Sequence, residues 1–107
     1  MIKVANIKGK GRGIITSSHI KKGSLVELSP IIETGKYVNV LENYLYEFGK
    51  NNYCVAFGFG SLFNHSVNPN MWFSALIKKR QIAFYARRNI LPKEELTIDY
   101  GYETDWE

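Results

Sequence analysis

The 107-residue chain has one cysteine, Cys54, and two histidines, His19 and His65. A single cysteine excludes an internal disulfide and any zinc site built from a cysteine cluster, so we expect no metal. No apolar run approaches the length of a membrane span, and residues 1–4 lack the apolar segment of a signal peptide. We therefore expect an intracellular protein, cytoplasmic or nuclear, with no membrane contact.

Acidic residues are absent from residues 51–93, which carry six Lys and Arg, and are concentrated at the end of the chain. Residues 94–107 hold six Asp and Glu and no base, although the formal net charge of the chain is +4. One interpretation is a solvated acidic tail on a basic protein. The other is an acidic rim that attracts a cationic substrate.

Repeats, low-complexity segments and linkers are also lacking, so we predict one domain spanning residues 1–107. Short extended runs alternate with glycines and polar turns, which is typical of a mostly β protein. The predicted strands are residues 2–6, 13–17, 25–28, 31–33, 53–57, 71–77, 81–86 and 96–98. Residues 78–80 are predicted to form the solvated tip of a hairpin.

One amphipathic helix is predicted. Its apolar residues follow the i, i+3, i+4, i+7 spacing of a helix face. Asn39 is its predicted N-cap, and Gly49 suits its C-terminal stop. The residues of the apolar face are Leu41, Tyr44, Leu45 and Phe48.

Three segments combine polar and glycine residues in ways that fit a site. Gly11-Arg12-Gly13 allows close backbone approach to a ligand, although such a turn is more often only a turn. Asn64-His65-Ser66 follows an apolar run, and Asn64 offers both a carbonyl and an NH2 group. His65 either bonds backbone across a turn or contacts a ligand. Tyr100, in the third segment, is either an interior aromatic or presents its hydroxyl to a reacting centre.

Taken in order, these segments resemble the SET-domain protein lysine methyltransferases. The matching stretches are Gly11-Arg12-Gly13, Asn64-His65-Ser66-Val67-Asn68-Pro69-Asn70 and Glu94-Glu95-Leu96-Thr97-Ile98-Asp99-Tyr100. The resemblance runs from about residue 8 to residue 101, with residues 102–107 as a C-terminal segment that could close the site. It is strongest to the minimal viral or bacterial type, which lacks zinc-binding flanking modules.

The resemblance implies small curved β-sheets around a C-terminal pseudoknot, with one short helical insert. It also implies S-adenosylmethionine (SAM) as cofactor, S-adenosylhomocysteine (SAH) as product, and methyl transfer to a lysine side chain of a protein. The backbone of Gly11, Arg12 and Gly13 would hold the methionine part of the cofactor together with Asn64. His65 would help to seat the adenine.

On the substrate side, the resemblance makes Tyr100 the catalytic tyrosine. Ile98 occupies the position where members carry the Phe or Tyr that limits the number of methyl groups added. Tyr44 and Tyr102 are candidate channel walls, although either could be core. Trp106 could fold over the adenine or the lysine side, or belong to a frayed tail.

The substrate expected from the resemblance is a protein with an exposed lysine, a basic histone-like tail for instance, with no requirement for nucleic acid. Because zinc modules are missing, another group must complete the lysine channel, and a homodimer is one way to do so. Two alternatives stay open at this point. One is a small basic β-domain that binds nucleic acid. The other is a catalytically silent SET-like module that binds peptides.

Overall fold

The computed structural model describes residues 1–99 and 104–106. This part of the chain is mostly β, with ten strands and two short 3-10 helices. The strands are β1 Ile2–Ile7, β2 Gly11–Thr16, β3 Leu25–Glu33, β4 Leu45–Glu47, β5 Tyr53–Ala56, β6 Asn64–His65, β7 Met71–Leu76, β8 Gln81–Ala86, β9 Thr97–Ile98 and β10 Thr104–Trp106. The 3-10 helices are Asn39–Tyr44 and Gly58–Ser61.

Three sheets share these strands. β1 and β2 form an antiparallel hairpin, and β6 pairs with β9 in parallel. The largest sheet has six strands in the order β10-β7-β8-β3-β5-β4. Because β9 and β10 both pair in parallel with strands from earlier in the chain, the C-terminal part is inserted among elements that precede it.

The hydrophobic core lies against the six-stranded sheet and is rich in aromatic residues. The rings of Phe63 and Phe84 have centroids 4.9 Å apart, and Tyr46 meets Phe73 edge-on at 5.1 Å. The hydroxyl of Tyr46 donates a hydrogen bond of 2.6 Å to the carbonyl of Gly60, which satisfies the one polar atom of this ring in a buried position. The core fixes the sheet to which the site segments are attached.

The predicted helix over residues 41–48 is wrong in its extent and type. A 3-10 helix occupies Asn39–Tyr44, its N-cap residue is Val38, and no side chain caps it. The next residues form β4, which pairs with β5 through Leu45↔Val55 and Tyr46↔Cys54. Strand pairing and burial of Tyr46 therefore outweigh the helical spacing, which is a weak prior when tertiary contacts compete with it.

Two further strand predictions need correction. Residues 25–28 and 31–33 belong to one continuous strand, β3, which runs through Pro30. Pro30 is tolerated there because β3 changes partner at this residue, from β8 before it to β5 after it. The predicted hairpin tip at residues 78–80 is confirmed as the turn between β7 and β8.

Candidate functional site

The three matching stretches are called here the first motif (residues 11–13), the second motif (residues 64–70) and the third motif (residues 94–100). The site lies where residues 95–98 of the third motif pass between the first and the second. Thr97 pairs with Asn64 in the parallel β6–β9 ladder. On the other side Glu95 bridges Ile15 of β2, and the amide of Leu96 donates to the carbonyl of Ile14 at 2.8 Å. Residues 95–97 thus bring together the glycine turn and the Asn-His-Ser segment, which are about fifty residues apart in sequence.

The side-chain amide of Asn64 joins all three segments. Its nitrogen Nδ2 donates to the backbone carbonyl of Arg12 at 3.0 Å and to Oε2 of Glu95 at 2.6 Å. Arg12 contributes its backbone to this contact, while the residue itself is exposed. The predicted proximity of Asn64 to the Gly-Arg-Gly turn is therefore observed.

Gly13 is packed directly beneath that amide. A Cβ at residue 13 would fall 2.6 Å from Oε2 of Glu95, 2.7 Å from Nδ2 of Asn64 and 2.7 Å from Cγ1 of Ile7. Gly11 has a different requirement, since its φ of 79° lies in the left-handed region that glycine tolerates. The first glycine makes the turn and the second makes room for the polar cluster.

Glu95 is the residue that sequence reasoning missed. Its carboxylate is mostly buried, with 15% of the side chain exposed, and Oε1 accepts from Nζ of Lys10 at 3.0 Å. Nothing in the local pattern separated Glu95 from the other acids of the C-terminal segment. Only its place inside the third motif could have drawn attention to it.

Asn70 fastens the third motif to the second. It is 3% exposed. Its Nδ2 donates to the carbonyl of Glu95 at 2.7 Å, and its Oδ1 accepts from the amide of Thr97 at 2.9 Å. The backbone amide of Asn70 donates in turn to Oγ1 of Thr97 at 3.3 Å. These bonds fix the backbone on both sides of Leu96.

His65 and Ser66 line the next step of the same ladder. His65 pairs with Ile98 in register, and its Nδ1 lies 3.8 Å from Oδ1 of Asp99. The amide of Ser66 donates to the carbonyl of Ile98 at 2.8 Å. The residue that immediately precedes Tyr100 in the chain is therefore held beside the Asn-His-Ser segment.

The remaining predicted site residues are placed as follows. Ile98 is fully buried in the core, whereas Tyr44 is 44% exposed at the end of the first 3-10 helix. The backbone of Trp106 belongs to β10, opposite Ala75 of β7. Tyr100 and Tyr102, like the side chain of Trp106, lie outside the described residues, so their assigned roles stay predictions.

Glu94 and Glu95, the first two acids of the C-terminal segment, are bonded within the protein. Glu94 accepts two hydrogen bonds from Arg88, at 2.8 and 3.1 Å, and one from the amide of Leu91 at 2.6 Å. The bonds from Arg88, and then that from Leu91, lower the pKa of the Glu94 carboxyl. Glu95 is likewise paired with Lys10. These two acids therefore hold the segment in place, and neither supports a free acidic rim.

Among residues 1–99 and 104–106, no group of three or more His, Cys, Asp and Glu is placed to hold a metal ion. The same residues contain no helix with the length and hydropathy needed to cross a membrane.

The fold and the site together define a class of protein. In this class, small β-sheets hold a C-terminal motif between two motifs from earlier in the chain, and the C-terminal motif completes a cluster of hydrogen-bond acceptors. The SET domain family model matches residues 11–101, and the chain belongs to this family. The predicted SET fold, mostly β with curved sheets, is confirmed.

Curated relatives are named histone-lysine N-methyltransferases. The Schizosaccharomyces pombe enzyme named as specific for H3 lysine-37 is 31% identical over 108 residues, which cover 94% of this chain and 73% of the relative. Set8 of Drosophila melanogaster is 32% identical over 120 residues, but the match spans only 17% of its length.

Solved structures give the same result. A Plasmodium falciparum protein assigned as a histone methyltransferase superposes with a TM-score of 0.79 at 26% identity, over 96% of this chain and 99% of the other. KRYPTONITE, crystallised with DNA, an H3(1–15) peptide and SAH, gives a TM-score of 0.74 at 26% identity, over 95% of this chain and 23% of its own. These likenesses do not favour the alternative of a nucleic-acid-binding β-domain.

Proposed function

We propose that this protein is a SAM-dependent protein-lysine N-methyltransferase that acts on an exposed lysine, with a histone tail as the preferred substrate class. The observation that carries the proposal is the Asn64 amide, bonded at once to Arg12 of the first motif and Glu95 of the third. The relatives' names and the SAH present in the KRYPTONITE crystals support it.

The residues present fit the methionine part of the cofactor. That part carries an ammonium group, and the carbonyl oxygen of Arg12 and the side-chain oxygen of Asn64 are acceptors suited to it. Absence of a Cβ at Gly13 keeps the backbone close to this cluster. In this proposal the backbone of Gly11–Gly13 and the Asn64 side chain bind the methionine part.

We propose that the adenine end of the cofactor contacts residues next to Asn64. His65 follows Asn64 in β6, and in the proposal it seats the adenine, largely through its backbone. Trp106 is proposed to close over the adenine or the lysine side. No metal is proposed in the reaction, and activity should be unchanged when a chelator is added.

For methyl transfer, the bound cofactor supplies an electrophilic methyl group on a positively charged sulfonium. The protein's work is mainly alignment of the amine, the methyl carbon and the sulfur. The attacking lysine must be neutral, and an apolar channel beside a positive charge lowers its pKa from about 10.4. We assign the channel to Ile98, Tyr44 and Tyr102, and the hydroxyl that orients the reacting groups to Tyr100.

The test combines binding and turnover. Calorimetry should detect SAH and SAM binding, and mass spectrometry should detect methylated lysine in a histone mixture. Tyr100→Phe should keep SAH affinity and lose most turnover, whereas Asn64→Ala should lose affinity. Tyr85→Phe, on β8, is the matched control and should retain both. Equal turnover of Tyr100→Phe and wild type would remove the role of Tyr100, and SAH binding without any turnover would favour the catalytically silent module.

The number of methyl groups added should exceed one. Ile98 is smaller than the Phe or Tyr expected at this position, so the proposed channel has more room around the amine. With excess cofactor, mass spectrometry should reveal di- or trimethyl-lysine. A reaction that stops at monomethyl-lysine would contradict this proposal.

The domain organisation, the location and the partners of the protein are proposed on the same basis. Residues 1–107 would form one SET domain with a core over about 8–101, working in the nucleus on a histone or another protein with an exposed lysine and without a requirement for nucleic acid. A homodimer is proposed as the way to complete the lysine channel. Size-exclusion chromatography with light scattering measures the molar mass in solution. A monomer mass at working concentration would contradict the homodimer.

A further inference from the structure

The orientation of the Asn64 amide is fixed by the groups around it. An amide nitrogen has two N–H donors and its oxygen is only an acceptor. The carbonyl of Arg12 and the carboxylate of Glu95 are both acceptors, so the nitrogen must face them. Both donors are thereby used inside the protein, and the oxygen Oδ1 is the atom through which Asn64 can meet a donor on a ligand.

We propose that Glu95 is a positioning residue that holds Asn64 in this orientation, so that Oδ1 selects the ammonium group of the cofactor. The inference rests on the proposed function and adds a residue to its site. Without Glu95, the amide could turn its NH2 group toward the ligand and oppose an ammonium. The contact of 2.6 Å between Nδ2 and a carboxylate is the short, charge-assisted kind.

Glu95 is itself held too firmly to follow Asn64. Its backbone bridges Ile15, and its carbonyl accepts from Nδ2 of Asn70 at 2.7 Å. Its side chain is mostly buried above Gly13, where no Cβ separates it from Asn64. The carboxylate is therefore a fixed reference, and the amide of Asn64 is the group that is oriented by it.

Lys10 supplies the counter-charge to the second carboxylate oxygen. Its Nζ lies 3.0 Å from Oε1 of Glu95, and 41% of its side chain is exposed. An ion pair exposed to this degree contributes little to stability. Because Lys10 touches Oε1 and Asn64 touches Oε2, removing Lys10 leaves the orienting contact in place. Lys10→Met is thus the matched control for variants of Glu95.

The decisive experiment compares two ligands that differ at one group: SAH, and the analogue of SAH in which hydrogen replaces the α-amino group. Calorimetry of Glu95→Met should give SAH affinity about tenfold or more below wild type, since an oriented bond to a charged group is lost. Affinity for the desamino analogue should change less than about twofold by the same reasoning. Glu95→Gln, which keeps an acceptor, should recover part of the SAH affinity, and Lys10→Met should stay within about threefold of wild type.

A merely structural role of Glu95 would give a different result. In that case Glu95→Met would bind both ligands more weakly by the same factor, and its melting temperature would fall in proportion. That outcome overturns the inference. Unchanged SAH binding by Glu95→Met also overturns it. In turnover assays Glu95→Gln should raise KM for SAM with little change in kcat. If wild type binds SAH but methylates no lysine, the proposed function fails while the ligand comparison still decides the role of Glu95.

If Glu95→Met does not fold, a measurement on the ligand-free wild-type protein still tests the inference. In wild type, the two side-chain NH2 protons of Asn64 should exchange slowly with solvent in NMR spectra, because both are hydrogen-bonded. Asn68, which is exposed in the following turn, provides the fast-exchanging reference. Equal exchange at both side chains would overturn the inference without any substitution at Glu95.

Discussion

Gly13 determines how closely the polar groups of the site can approach one another. The atoms that a Cβ would meet are the ends of the Glu95, Asn64 and Ile7 side chains. Side-chain ends can move aside more easily than backbone. A residue larger than glycine would therefore distort the site before it prevented folding.

Gly13→Ala is expected to separate binding from stability. The substitution should cost about 1–3 kcal/mol of unfolding free energy, as overpacking does. It should weaken SAH binding more than tenfold, since the methyl group displaces Asn64 and Glu95. Calorimetry and urea denaturation measure the two effects.

The control for this prediction is Gly23→Ala. Gly23 has a φ of 87° and open space around its Cβ position, in a turn before β3. Alanine there should lower stability by about 1–2 kcal/mol through backbone strain and leave SAH affinity unchanged. Comparable loss of binding in both variants would show that the effect at residue 13 is one of general stability.

At the scale of elements, the pairing of β6 with β9 is short and depends on side chains. The ladder has two residue pairs, Asn64↔Thr97 and His65↔Ile98. Two-residue ladders provide few backbone hydrogen bonds, so the bonds made by Asn70 supply much of the connection. Asn70 thereby belongs to the fold of the site even though no ligand role is assigned to it.

Asn70→Ala is expected to loosen this junction. Loss of the side chain leaves the carbonyl of Glu95 and the amide of Thr97 without buried partners, which should cost about 2–3 kcal/mol. Hydrogen exchange at the amide of Ser66, which bonds to Ile98, should become faster. Asn68→Ala, at an exposed position of the same turn, should be close to neutral, and equal effects of the two variants would contradict this role.

The turn that leads into the third motif and ends at Glu94 is expected to lose stability in acid. Arg88 and the amide of Leu91 lower the pKa of Glu94 in the folded state, so the unfolded chain binds the proton more readily. The stabilising contribution is present above the unfolded pKa of about 4.3 and is lost as pH falls below it.

Glu94→Gln should therefore show less loss of stability than wild type between about pH 5 and pH 3, and lower stability at neutral pH. Urea denaturation across this range measures both effects. Glu47→Gln, at an exposed position of β4, is the control. An acid dependence that Glu94→Gln leaves unchanged would exclude this turn as its source.

Across the whole molecule, the core shields its one thiol. Cys54 is fully buried on β5, and burial, followed by the negative charge of Glu33, raises its pKa to about 12. Reaction with a disulfide reagent needs the thiolate. The native thiol is therefore protected both by access and by protonation.

A disulfide reagent at about pH 8 should leave native Cys54 unmodified and label it fully in denaturant, so that the labelling rate reports opening of the core. Stability should also fall as pH rises above the unfolded thiol pKa of about 8.5, because only the unfolded chain loses the proton. Mass spectrometry of labelled protein checks the first expectation. Rapid labelling under native conditions would contradict the burial.

The sequence by itself determined the local parts of this protein. Short extended runs between glycines and polar turns predicted most strands, and the resemblance of Gly11–Gly13, Asn64–Ser66 and residues 94–100 to a known family predicted the site. Such patterns are readable because a strand face or a turn is specified by neighbours a few residues apart. The same locality explains the error at Leu45–Glu47, where a helical spacing was overridden by pairing with β5.

Only the tertiary structure decided which polar groups meet. The bonds of Asn64 to Arg12 and Glu95 span 52 and 31 residues, and that of Lys10 to Glu95 spans 85. No local pattern encodes contacts between residues so far apart in sequence, since these contacts depend on how the C-terminal strands are inserted among earlier ones. Glu95 consequently looked like one acid of a charged tail, and the fold makes it the partner that orients Asn64.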